Sequence, residues 1–187
     1  MIFLIIGVKG FEPSATRSQS ECSTKLSYTP LIVTGKQDFK YIISNTLNNR
    51  NFPFYLSNGV SDSYTNDGIY FTHLVSESNK IYGDYNILAP LLSKIKHKQI
   101  FRVKYNLYPK TFFRKKHKWH RDLSDEHKGL IYYLNTNNGR TDIKGQAKVK
   151  SIENRALFFD PSKLHRSTTC TDQEYRANII INYLSGS

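Results

Sequence analysis

Arg176-Ala177-Asn178-Ile179-Ile180-Ile181-Asn182-Tyr183-Leu184 is the stretch on which the reading of this chain turns. So strongly apolar a run, rich in β-branched residues, fits the pleated surface of a buried strand. The charged residue at its head then needs an anionic partner, because an unpaired buried charge costs several kcal/mol. Working back from this run, strand-like segments fill most of the chain after Gln99: residues 100–108, 119–123, 129–135, 146–151, 156–160, 165–171 and 176–184. Turn chemistry separates several of them, notably Asn137-Asn138-Gly139 and Asp160-Pro161-Ser162. Seven short strands at this spacing predict a mainly β protein, a sandwich or jelly roll rather than a parallel sheet.

Upstream, Phe39, Ile42, Ile43 and Leu47 recur at helical spacing and predict a helix over 38–47. A short aromatic strand follows over 52–56, Asn58-Gly59 turns the chain, and 68–75 reads as another strand, containing His73. A second helix is expected over 88–97, with Pro90 in its first turn and Leu91, Leu92 and Ile95 inward. Both helices would cover one sheet face. Residues 9–30 are rich in Ser and Thr, lack periodicity and contain Pro13 and Pro30. Phe11-Glu12-Pro13 is also what the T-arm of a transfer-RNA gene yields in one antisense frame. Residues 1–30 are therefore expected to be a disordered or mis-assigned extension, and 31–187 a single domain.

Composition narrows the class. Of 187 residues 39% are apolar and 22% charged, the balance of a folded chain despite a mean hydropathy of −0.52. Two cysteines, Cys22 and Cys170, are too few for a zinc ribbon or a disulfide framework, which fits a reducing cytoplasm. The apolar start, Met1 to Val8, is too short to span a bilayer and has no basic region before it, so no membrane partner is expected. Net charge is +12, and the densest run is Arg114-Lys115-Lys116-His117-Lys118, a solvated rim or a patch that steers an acidic partner. Helix-turn-helix spacing, C2H2 spacing and the aromatic signature of RNA-binding sheets are all missing, so no nucleic-acid partner is expected.

The basic run leads straight into His120-Arg121-Asp122. On a strand, residues i and i+2 share a face, so His120 and Asp122 would stand roughly 7 Å apart and reach one metal. His165, 43 residues after Asp122, would add a second imidazole, and two imidazoles with one carboxylate leave positions open on Fe(II). Standing alone, the H-x-D would be a surface strand with an exposed charge pair, and His165 a structural histidine. Arg176 would take the distal carboxylate of a 2-oxo acid, or else pair with Asp172 or Glu174.

Asn106-Leu107-Tyr108-Pro109, His120-x-Asp122, Leu130-Ile131-Tyr132-Tyr133-Leu134-Asn135, Asn138-Gly139-x-Thr141, and finally His165 with Arg176 form an ordered set. In that set the chain from about residue 38 to 184 resembles the 2-oxoglutarate and Fe(II)-dependent dioxygenases of the prolyl 4-hydroxylase-like group, particularly short members from bacteriophages. The resemblance implies a double-stranded β-helix, of jelly-roll and cupin-like type. His120, Asp122 and His165 would ligate iron, Arg176 would anchor the 2-oxoglutarate C5 carboxylate, Tyr133 would hydrogen-bond that carboxylate and Tyr108 would line its pocket. The implied activity is hydroxylation of an unactivated C–H, in a prolyl or other protein side chain, using O2 and 2-oxoglutarate and releasing succinate and CO2. Ascorbate would serve as an accessory reductant. The family's frequent Gly-Gly before its Thr is Gly139-Arg140 here. Competing with this is a non-catalytic basic jelly roll that binds a virion protein or nucleic acid. A zinc hydrolase would leave Arg176 unexplained, and a nucleobase demethylase would want a second arginine beyond it.

Overall fold

A computed structural model describes residues 31–59, 68–122 and 127–186. The expected extension 1–30 lies outside the described residues. In chain order the elements are β1 (Leu31–Ile32), α1 (Lys36–Asn45), β2 (Tyr55–Asn58), β3 (Ile69–Glu77) and β4 (Lys80–Ile81). A 3-10 turn (Tyr85–Leu88) then runs into α2 (Ala89–Leu92). The remaining strands are β5 (His97–Pro109), β6 (Lys128–Tyr133), β7 (Arg140–Ile143), β8 (Ala147–Lys150), β9 (Arg155–Phe159), β10 (His165–Ser167) and β11 (Tyr175–Ser185).

The large sheet runs β1-β9-β6-β11-β5-β3-β2, with β4 on the edge of β3, and the small one runs β10-β7-β8. Bridges at Lys116–Thr168 and His120–His165 lay the segment before Asp122 along β10 and extend the small sheet. Strands β5 to β11 with that segment form a double-stranded β-helix, mainly β with helices on one side, as the sequence predicts. Central β11 pairs with β5 from Tyr175↔Pro109 to Ser185↔His97 and with β6 from Asn178↔Tyr133 to Tyr183↔Lys128.

Alternation along the strands divides the interior in two, because successive side chains leave a strand on opposite faces. Ala177, Ile179 and Ile181 of β11, Val103 and Tyr105 of β5, and Leu130 and Tyr132 of β6 meet Ile42 of α1 and Leu91 and Leu92 of α2 in the principal core. The other face turns toward the small sheet. There Ile131, Tyr133, Leu157 and Phe159 pack on Ile143 and Val149 and close one part of the gap. The remainder of that gap is polar and contains the site.

Local expectations fail in several places: β1 and β4 were not expected, the strand expected over 52–56 lies at Tyr55–Asn58, and three further differences have a physical reason. The second helix is only four residues long: after the 3-10 turn and α2 the chain leaves helix at Ser93, and His97 already opens β5. Leu91, Leu92 and Ile95 are nonetheless buried, so their spacing reported burial and overstated helix length. The strand expected over 119–123 is a chain with one isolated bridge at His120. Finally, β7 was not anticipated, since Arg-Thr-Asp-Ile has no apolar alternation; Asp142 is buried there through ion pairs to Arg140 and Arg166.

Candidate metal centre

His120 and His165 face each other across an antiparallel pair, each backbone N–H donating to the other's carbonyl at 3.0 and 2.9 Å. Ring Nδ1 of His120 meets Lys118 O at 3.2 Å, and Nδ1 of His165 meets Lys163 O at 2.9 Å. A carbonyl only accepts, so each Nδ1 carries a hydrogen and Nε2 is left to face Asp122, as a donor when the ring is protonated and as a metal-binding lone pair when it is neutral. Those Nε2 atoms stand 3.8 and 3.7 Å from Asp122 Oδ1. One donor atom from each residue falls within 4.8 Å of the others.

Asp122 is delivered by the turn after β9. Its N–H donates to Pro161 O at 3.1 Å, while Asp160 Oδ1 accepts from the Ser162 N–H and hydroxyl at 2.9 and 2.6 Å. Asn182 of β11 donates to Asp122 Oδ2 at 3.4 Å, and Arg102 of β5 stands 3.7 Å from Oδ1. Burial alone would raise the Asp122 pKa. The hydrogen bond from His165 and the charges of His165, Arg102 and His120 more than reverse this and hold it well below the usual carboxylate range. Two imidazoles oriented through backbone acceptors and one ionised carboxylate fit Fe(II), with positions left for further ligands.

Arg176 is fully buried. Its Nε donates to Ser151 Oγ at 2.8 Å and Nη2 to Thr141 Oγ1 at 3.0 Å, while Nη1 has no hydrogen-bond partner among the described residues. Its guanidinium lies 5.4 Å from the Tyr108 ring centroid and 5.7 Å from that of Tyr133. Neither sequence-adjacent acid takes it: Asp172 accepts from the Asn138 N–H, and Glu174 pairs with Lys110. Tyr133 also donates to Thr141 Oγ1, at 3.0 Å. With two donors on that oxygen, the Thr141 hydrogen is left for an acceptor elsewhere, and Thr141 lines the same cavity as Arg176. Tyr133 therefore stands behind Thr141, whereas Tyr108 lines the cavity directly. Burial, opposed by the Arg176 charge, pushes the Tyr108 pKa up to about 12, so it remains a phenol.

The cavity has a volume of about 250 Å³ and joins the His120, Asp122 and His165 cluster to Arg176. Asn106 and Asn178, opposite each other on β5 and β11, line it and share a 3.3 Å hydrogen bond, with Asn106 Oδ1 buried and unpartnered. The sequence reading gave neither asparagine a role of its own and did not connect Ser151 or Thr141 with Arg176. The signal was present in part: Arg176, Asn178 and Asn182 of β11, interrupted by Ile180, and Arg102, Lys104 and Asn106 of β5 recur at alternate positions of their strands.

No protein-family model matches the chain, and no curated protein matches it. Solved structures do. A prolyl hydroxylase from Trichoplax adhaerens, in complex with a hypoxia inducible factor oxygen degradation domain peptide, aligns with a TM-score of 0.58 at 14% identity, covering 84% of this chain and 83% of that one. The viral collagen prolyl hydroxylase of Paramecium Bursaria Chlorella virus-1 aligns at 0.54 and 14% identity, over 95% and 100%. The fold is shared with prolyl hydroxylases. It is shared equally with the non-haem α-ketoglutarate-dependent epimerase SnoN of nogalamycin biosynthesis, at TM-score 0.59, 7% identity and 82% and 76% coverage. Among the described residues no helix is long and apolar enough to cross a membrane.

Proposed function

We propose that this protein is a 2-oxoglutarate- and Fe(II)-dependent oxygenase that hydroxylates an unactivated C–H bond, with a prolyl or other side chain of a protein as the substrate. One observation carries the reading: a buried arginine with an unpartnered Nη1 shares a small cavity with a His-Asp-His cluster. Burying a guanidinium whose fork is only partly satisfied is costly. A carboxylate arriving with a ligand supplies the missing acceptor, and a bidentate or charge-assisted bond to Arg176 gives that ligand its orientation.

Bound iron, with 2-oxoglutarate and O2, would supply the oxidant, and the balanced reaction converts R–H, O2 and 2-oxoglutarate to R–OH, succinate and CO2. The chain's own residues do the rest. His120, Asp122 and His165 hold the metal, with Lys118 O and Lys163 O fixing the ring orientations. Arg176 and the Thr141 hydroxyl receive the distal carboxylate, with Ser151 holding the guanidinium in place. Tyr108, Ile131 and Ile180 form the less polar walls of the cavity.

Succinate formation tests this directly. Incubated with Fe(II), 2-oxoglutarate, O2 and ascorbate, the protein should form succinate slowly even without substrate, and His165→Ala should not. Folded, iron-loaded protein that forms none would favour the non-catalytic binding role.

A further inference from the structure

We infer that the substrate is an acidic peptide whose aspartyl or glutamyl carboxylate enters the cavity and is received by Lys104. This rests on the oxygenase reading above and specifies its substrate. Register arranges the cavity walls of β5 and β11 in rungs: Tyr108 opposite Arg176, Asn106 opposite Asn178, Lys104 opposite Ile180, and Arg102 opposite Asn182. The first rung contains the co-substrate arginine, and the last touches the metal ligand Asp122.

Apart from Arg121 at the mouth, whose Nε donates to Ser162 O, the other arginines lining the cavity already have an answer. Arg102 lies 3.7 Å from Asp122, Arg166 donates to Asp142 at 3.2 Å, and Arg176 awaits the co-substrate. Lys104 is different. Among the described residues it makes no ion pair, and its ammonium leans away from β11 toward β3, where it meets the Tyr70 hydroxyl at 3.4 Å and the Tyr70 ring at 5.6 Å. Ser57 and Gly59 line the cavity on that same side. This half-buried ammonium, with the Tyr70 hydroxyl as its hydrogen-bond partner among the described residues, can give a carboxylate in the cavity a charge-assisted bond.

The geometry favours an acidic side chain over a nucleic acid. A nucleobase entering the cavity would leave its phosphates outside and Lys104 unanswered, whereas Asp and Glu carry their charge at the tip. The rim adds an outer layer of charge: Arg121 and Lys115, Lys116 and Lys118 are exposed, and Arg121 lines the cavity mouth. Cations continuing beyond the mouth suit a chain with several acidic residues better than a single small acid.

The test is equilibrium binding to the full chain, read by fluorescence anisotropy under anaerobic conditions with Fe(II) and 2-oxoglutarate, and again without metal. Probes are a labelled Asp/Glu-rich peptide, its Asn/Gln counterpart, a single-stranded oligonucleotide, and free glutamate as competitor. The acidic peptide should bind about tenfold or more tighter than its neutral counterpart, Lys104→Gln should abolish that preference and Lys104→Arg should keep most of it. Equal binding of the two peptides would overturn the inference. So would acidic-peptide binding that Lys104→Gln leaves intact, oligonucleotide binding that depends on Lys104, equal competition by free glutamate, or a loss in Lys104→Gln that falls on 2-oxoglutarate instead. Because binding is read without turnover, the two readings fail separately. A protein that prefers the acidic peptide and forms no succinate refutes the oxygenase, whereas one that forms succinate without the preference refutes only this inference.

Discussion

Ala177, Ile179 and Ile181 on one face of β11 and Arg176, Asn178 and Asn182 on the other are buried alike, yet the first face is apolar and the second polar. Toward the helices, burial is accounted for by the hydrophobic effect, each large aliphatic side chain contributing about 1.5–3 kcal/mol. Toward the small sheet the same strand buries a guanidinium and two amides, groups that stabilise a fold only when their hydrogen bonds are met. Among the described residues those bonds are met incompletely at Arg176 Nη1, and on the neighbouring β5 the same holds for Asn106 Oδ1. One face holds the sheet together, and the other is the face to which the proposed function assigns the co-substrate.

The comparison can be broken at four points. The largest effect belongs to the metal ligand: Asp122→Ala should abolish Fe(II) binding in equilibrium dialysis while the protein still folds. Next come two neighbours on β11. Ile179→Ala should cost about 2–5 kcal/mol in denaturant unfolding with metal affinity kept, as expected for a fully buried aliphatic residue. Arg176→Met should change the stability of the ligand-free protein by about 1 kcal/mol or less, since a hydrophobic replacement removes both the buried charge and its cost. If the two variants destabilised equally, the polar face would be serving the fold.

A smaller effect is expected at Gly139. A Cβ there would stand 2.6 Å from Arg176 Cδ and 2.7 Å from Asn137 Oδ1, so Gly139→Ala must shift the guanidinium. Calorimetry should show 2-oxoglutarate affinity reduced by about tenfold, the consequence of one misplaced charged hydrogen bond, with iron affinity unchanged. The smallest effect concerns the one histidine on the helix-facing side of β3. His73 packs between Phe52 and Tyr105, and burial lowers its pKa despite the hydrogen bond of Nδ1 with Pro53 O. The unfolded chain therefore takes up this proton first. Its contribution is present above pH of about 6.5 and is lost as pH falls toward the lowered folded value. Thermal melts of His73→Leu should show a flatter stability profile between neutral and mildly acid pH.

Legibility in the sequence followed the same division. Helix-side residues announced themselves, because Ile179, Ile181, Leu130 and Tyr132 sit at strand spacing in apolar runs, and their strands lie within a few residues of expectation. The cluster His120, Asp122 and His165 was readable as residue types, and the structure brings the three together. Less readable was how it is built. His120 lies outside any regular strand, and its place depends on a bridge to His165, 45 positions further along the chain. Thr141 holds Arg176 from β7, whose Arg-Thr-Asp-Ile has no periodic signal, and Ser151 does so from the position just after β8. The sequence reading gave Lys104 no role and Asn106 only a place in a motif, and the structure puts both on the cavity wall.

The measurement that bears most directly on the central claim is anaerobic titration of the Fe(II)-loaded protein with 2-oxoglutarate, followed by visible absorption. The site described here predicts a weak metal-to-ligand charge-transfer band that saturates with co-substrate and requires much higher concentrations in Arg176→Ala. A folded, iron-loaded protein that gives no band, or one whose band is indifferent to Arg176, would contradict it.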